Sequence, residues 1–183
     1  HLQNPDGHWA GELIVDSTLC SDLILYLHWS GKVDPVLQEK CVAHIRRRQL
    51  EDGGWNIYFD GPSEINATVK AYFALKLAGD DPKAPWMQKA RATALRLGGI
   101  PRMNTYAKLY LALLGQFPWA SLPTIPPEII LLPRWFPFNL AEISSWTRAM
   151  IIPLAILNHL KPTRPVPPEK QLHELYPAGT EAA

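Results

Sequence analysis

Cysteine is scarce in this chain: Cys20 and Cys41 are its only two among 183 residues. A multi-bridge disulfide framework is excluded, and both are read as reduced thiols in apolar surroundings, a single disulfide being the alternative. Charge of one sign is lacking as well. Eighteen Lys and Arg balance 17 Asp and Glu to a net +1, so no nucleic-acid partner is expected. The basic run Arg46-Arg47-Arg48 is read as a last helical turn, where cations meet the negative end of the dipole; a phosphate patch is the alternative. No apolar run reaches the roughly 18 residues that a spanning helix needs, and no signal peptide is visible. The chain opens on His1 rather than Met and is read as a piece of a longer protein.

Catalytic patterns are missing too. The chain has no Gly-rich phosphate loop, no Gly-x-Ser-x-Gly elbow and no His-Glu-x-x-His, which removes the commonest nucleotide, hydrolase and metalloprotease readings. Its six histidines are scattered without metal-ligand spacing, so neither a metal nor another cofactor is expected. His8 and His44 are read as corner and core residues. Asp80-Asp81, followed by Pro82, reads as a solvated turn. Asp16 and Asp22 read as capping or solvent-facing groups, with a buried polar network as the alternative.

A repeated motif is present instead. Gln-x-x-x-Gly-x-Trp occurs as Gln3, Gly7, Trp9 and again as Gln49, Gly53, Trp55, 46 positions on. An acidic residue precedes each glycine, Asp6 and Asp52. Self-similarity at this period is the mark of stacked helical hairpins. Asp-Gly turns the chain because glycine takes positive φ without steric cost. The tryptophan is a flat anchor with one N–H donor, and the glutamine amide can bond the open backbone of a helix end. The unit reads as a stapled corner.

Apolar periodicity fills the spaces between the corners. Helices are predicted over 11–30, stopping at Gly31, and over 34–49, with Pro35 in the first turn and Leu37, Cys41, His44 and Ile45 inward. A third, capped by Ser63, packs Ile65, Val69, Tyr72, Phe73 and Leu75. Others follow over 86–97, 104–114 and 139–160, the last with Pro153 as a kink or break. Between Phe117 and Phe138 six of the 18 prolines interrupt regular helix, yet IPPEIILLPRWFPF is apolar enough to need a surface to lie on. Residues 161–183 hold five prolines and read as an extended strap or linker. The fold class is all-α, built of antiparallel pairs, with residues 1–160 as its domain.

Aromatics concentrate in the second half: Tyr106, Tyr110, Trp119, Trp135, Phe136, Phe138 and Trp146. Core packing explains them. A wall of π faces that stabilises a developing carbocation is the sharper alternative.

The corners, together with QLEDGGWNIYFDGPSEINATVKAYFALKLAG, GGIPRMNTYAKLYLALLGQFPW, IPPEIILLPRWFPFN and SSWTRAM, resemble the N-terminal part of the squalene–hopene cyclases, of the class II triterpene cyclase family. VDSTLCSD resembles the proteobacterial form. The resemblance covers essentially the whole chain. It implies two α/α domains with an apolar cavity between them, here part of the non-protonating α/α barrel (toroid) with its QW-type repeats. It implies an enzyme on one membrane leaflet, at the cytoplasmic side of the inner membrane, that turns squalene into hopene and some hopanol. The family's proton donor is the middle Asp of an Asp-x-Asp-Asp motif in the other domain. This chain contains no such motif, so no catalytic residue is assigned and the chain alone is expected to be inactive.

By position, Trp146 and Tyr106 match residues of the family's cavity, and Ile143 and Ile151 match positions near its substrate channel. Gln3, Gly7, Trp9, Gln49, Gly53 and Trp55 match its stabilising corners. The implied partners are squalene, the acid-bearing domain to which 161–183 would lead, the membrane leaflet and, as an option, a second copy in a homodimer. Well-known members carry acidic residues near Cys20 and at Lys70 and an arginine near Asn104, so a polar network beside the cavity differs here. Two other readings remain: a cyclase of another linear isoprenoid, and a free-standing α/α binding scaffold.

Overall fold

Six helices form among the described residues, and the apolar spacing of the sequence locates each of them. The structure, a computed structural model, describes residues 3–9, 16–137 and 139–178. Helix α1 is Thr18–Ser30, α2 Pro35–Arg47, α3 Ile65–Ala78, α4 Pro85–Arg96, α5 Thr105–Leu113 and α6 Ser145–Leu160. Short 3₁₀ turns link them at Ile100–Arg102, Trp119–Ser121, Pro127–Leu131, Pro168–Lys170 and His173–Leu175. No strand longer than the isolated Gln3–Trp9 bridge occurs among the described residues. The fold is all-α, as expected.

Helix starts follow local chemistry. Asp34 accepts the N–H groups of Val36 and Leu37 at 2.9 and 3.1 Å, with Pro35 at the first position, where its missing donor costs nothing. Asn104 caps α5 through Ala107 N at 2.8 Å. Three starts differ from expectation. α1 begins at Thr18, whose N–H and hydroxyl both bond Asp16; the helical turns predicted over 11–15 lie outside the described residues. α3 is capped by Glu64, which accepts from Ala67 N at 2.8 Å, because Ser63 donates instead to Asp52 at 2.7 Å. α6 begins at Ser145, since Asn139 spends its side chain on a turn, accepting from Ala141 N and donating to Phe136 O. Pro153 sits inside α6 without ending it.

α3 is the axis of the core. Every residue from Ala67 to Leu77 is buried, which only an element covered on all sides can sustain. α1, α2 and α4 each pack on it, and α5 packs on α1. Of the residues expected inward on α2, Cys41 and Ile45 are buried, His44 is half-buried and Leu37 is exposed. α6 lies apart, resting on the Pro127–Leu131 turn and, through Leu154 and Leu157, on a small cluster of Leu109, Ala112 and Leu122.

The proline-rich tail crosses the core rather than leaving it. Val166, Leu172 and Leu175 are buried members of the main core. Its polar groups close helix ends: Arg164 donates to Trp29 O at the end of α1, and Lys170 donates to Lys76 O at 2.6 Å near the end of α3. Both cations thus meet carbonyls at the negative end of a helix dipole; Lys76 O also accepts the cap N–H of Gly79 at 3.2 Å.

Candidate functional site

The second corner is a closed unit. Gln49 Nε2 donates to Gly53 O at 2.8 Å and to Trp86 O at 3.0 Å. Gly53 takes φ 91°, and a Cβ there would lie 2.5 Å from the backbone of Lys89, so both conformation and space demand glycine. Trp55 is fully buried and donates its indole N–H to Ile45 O at 2.8 Å. Asp52 gathers the corner, accepting from Gly54 N and Ser63 and pairing with Arg96 at 2.6 Å. The first corner has the same internal bond, Gln3 Nε2 to Gly7 O at 2.7 Å, but Trp9 is 69% exposed. His8 serves that corner, bonding Asn4 and Asp6.

Tyr106 lies on the first turn of α5 and lines a cleft of about 210 Å³ with Leu109, Leu122, Pro123, Ile125 and Leu154. Its ring meets Tyr110 edge to face at 6.0 Å. Tyr110 in turn faces a second cleft of about 210 Å³, almost wholly apolar, with Leu25, Tyr26, Trp29 and Leu157. Trp146 opens α6 and is 76% exposed. Ile143, just before α6, and Ile151, within it, are half-buried. Five residues separate Trp146 from Ile151, about 140° around the helix, so the two do not share a face. Ile130, Leu131 and Trp135 of the proline-rich stretch are exposed, and Trp135 packs edge to face on Phe136; Phe138 lies outside the described residues. The apolar stretch thus turns part of its side chains outward, while Ile125, Ile129, Leu132 and Phe136 are half-buried; Met150, Ile152, Ile156 and Leu160 of α6 are exposed as well.

Sequence reasoning missed how the buried charges pair. Lys70, inside α3, reaches both oxygens of Asp22 at 2.8 and 2.9 Å and stands 5.3 Å from the Tyr110 ring centroid. Asp22 thus takes the buried-network role. Burial pushes its carboxyl above the ordinary value, and Lys70 opposes that. Burial, then Asp22 and Tyr106, push the Tyr110 hydroxyl up to about 12. The Cys20 thiol is pushed up to about 11 by burial, then by Cys41 and Asp16, so it stays protonated; both cysteines are free. Asp80 corrects the solvated-turn reading: it is buried, bonded by Arg46 at 2.5 and 3.1 Å and by the Trp86 indole at 3.0 Å. No group of three metal-ligating side chains occurs among the described residues.

The model of the squalene–hopene cyclase N-terminal domain matches residues 1–183. The chain belongs to this family. It is 42% identical to a squalene–hopene cyclase of Zymomonas mobilis over 87% of its length, which is 24% of that protein. It is 35% identical to the squalene–hopene cyclase of Alicyclobacillus acidocaldarius over 95% of its length, 28% of that protein. A dammaradiene synthase of Dryopteris crassirhizoma matches at 33% over 99% of the chain and 26% of its own length. The chain of this cyclase domain thus spans about a quarter of the length of these relatives. No helix among its described residues is long and apolar enough to cross a membrane.

Proposed function

We propose that this domain forms one wall of the cavity in which an intact squalene–hopene cyclase folds and closes squalene to hopene, with some hopanol. The observation that carries the reading is the Tyr106–Tyr110 pair, set between two apolar clefts. Aromatic faces attract a developing carbocation without offering it a base or nucleophile. Trp146 and Tyr106 supply π density to such cations, and Ile143 and Ile151 border the passage by which squalene enters. Residues 1–160 make the wall, and 161–183, packed on its core through Val166, Leu172 and Leu175, lead on to the domain that carries the acid. Alkene protonation needs a strong, positioned acid, and no Asp-x-Asp-Asp stands in this sequence.

The intact enzyme would rest on one leaflet at the cytoplasmic side of the inner membrane and draw squalene from the lipid, as a single copy or a homodimer. Incubating the purified chain with squalene and analysing products by gas chromatography is expected to give no cyclic triterpene. The intact protein is expected to give hopene, and its Tyr106→Ala variant more prematurely terminated rings at lower yield. Turnover by the chain alone would sink the reading. The match to a dammaradiene synthase supports one alternative, a related class II cyclase acting on another linear isoprenoid; product analysis of the intact protein with competing substrates separates the two.

A further inference from the structure

One buried cation stands beside the aromatic pair of the wall. Lys70 lies on the second turn of α3 and is only 7% exposed. Its ammonium occupies a node between three helices. Toward α1 it contacts both oxygens of Asp22, at 2.8 and 2.9 Å. Toward α5 it stands over the Tyr110 ring, 5.3 Å from the centroid. Asn66, one turn earlier on α3, accepts the Asn104 N–H at 2.8 Å and so fixes the start of α5 beside α3. An ammonium taken this far from water needs a carboxylate partner, and Asp22 is that partner. The pair is neutral as a unit, but its positive end is the one that meets the ring.

The two tyrosines are therefore not equivalent. An aromatic face attracts a cation through the ring quadrupole. A cation already on one face draws on that quadrupole and repels a second cation approaching the other face, at a distance where the low-dielectric surroundings screen little. Tyr110 is engaged in this way. Tyr106 is not: it meets Tyr110 edge to face at 6.0 Å, its ring is half-exposed at its cleft, and among the described residues no Lys or Arg stands over it. Lys108, the other cation within α5, is turned away from the pair, lying over Phe117 and donating to Pro101 O at 2.8 Å.

We infer that Lys70 is a positioning residue that determines product choice: its ammonium claims the Tyr110 ring and leaves Tyr106 as the ring that meets the substrate's cations. The inference rests on the reading of this pair as part of the cavity wall. Asp22 is the second half of the device. A lone ammonium would repel every cation in the cavity, whereas the carboxylate beside it cancels its field beyond the nearest ring. Tyr110, pinned by the ammonium, in turn holds Tyr106 through their edge-to-face contact. Cations are thereby stabilised on the Tyr106 side, along Leu109, Leu122 and Leu154, and not on the side of Leu25, Tyr26 and Trp29. An ion pair that only tied α1 to α3 would have no influence on the products.

The test uses the intact protein of the source cell with squalene, its products resolved by gas chromatography. A wild type that forms no cyclic triterpene overturns the cavity reading and the inference with it. With an active wild type, the variants decide the inference alone. Lys70→Met is expected to open Tyr110 to cations and to raise the fraction of prematurely terminated rings about threefold to tenfold, as one added site of ordinary cation–π strength would. The double variant Asp22→Asn/Lys70→Met leaves no buried carboxylate unpaired and is expected to show the same rise, with thermal unfolding confirming that it is folded. Lys70→Arg keeps a cation on the ring and is expected to keep the wild-type product ratio. The inference is overturned by a folded double variant with the wild-type ratio, or by a Lys70→Arg variant whose ratio shifts as far as that of Lys70→Met.

Discussion

Trp55 and Trp9 occupy the same place in the same seven-residue frame, yet their energetic weights differ. Trp55 fills the core and satisfies the Ile45 carbonyl. Replacing it with Phe removes the donor and leaves part of the space unfilled, so about 2–3 kcal/mol of stability should be lost. The same change at Trp9 should cost no more than about 0.5 kcal/mol in this chain, as at other exposed sites. Urea unfolding of the two variants checks both values, and equal losses would refute the distinction. At this scale the sequence was informative about the corner bonds and the caps at Asp34 and Asn104, which depend on neighbours within four residues. It offered a buried network for Asp22 only as an alternative and named neither Lys70 as its partner nor Arg46 as that of Asp80, because those partners are 48 and 34 positions apart.

Between elements, the tail and α3 are joined by a charged knot. Glu174 accepts from Tyr72 at 2.8 Å and from Lys76 at 2.5 Å. Burial alone would raise the Glu174 carboxyl, but Lys76, its own backbone N–H and Tyr72 outweigh burial and hold it below its ordinary 4.5. A carboxyl held low in the folded state contributes stability that is present above the unfolded value and is lost as pH falls through the folded one. Stability should therefore be complete above about pH 5 and decline below about pH 4.5. Glu174→Gln should cost about 1–2 kcal/mol at pH 7 and flatten this acid limb. Thermal unfolding from pH 7 to pH 3 reads the difference; a variant with an unchanged acid limb would refute the knot's role. The period-3.6 patterning located most of the helices, since amphipathicity needs no knowledge of the partner. It overran the starts of α1 and α6, where Asp16 and Asn139 bind the backbone of a turn instead of continuing the helix.

For the molecule as a whole, the tail closes the main core, while α6 rests on a smaller cluster through Leu154 and Leu157. Val166, Leu172 and Leu175 bury their side chains against helices that precede them by 50 residues or more. Ending the chain after Leu160 should cost about 4–6 kcal/mol, at roughly 2 kcal/mol per buried aliphatic side chain, and leave a state without cooperative unfolding. Circular dichroism through a thermal ramp checks this; a truncated chain with a sharp transition would refute it. Along α6 and the 125–137 stretch, Leu131, Trp135 and Trp146 are large apolar side chains left exposed.

Sequence by itself determined the all-α class, the two corners and the helices between them, because turns, caps and amphipathic faces are set by residues a few positions apart. It also carried the family, through motifs kept in order along the whole chain. Tertiary structure decided which copy of the corner is buried, which carboxylates are neutralised and where the proline-rich tail lies. Trp9 and Trp55 show the reason most directly. The Gln-x-x-x-Gly-x-Trp turn closes on its own hydrogen bonds wherever it occurs, but burying its tryptophan needs a helix on either side, and the local sequence of the turn holds no record of whether those helices are there.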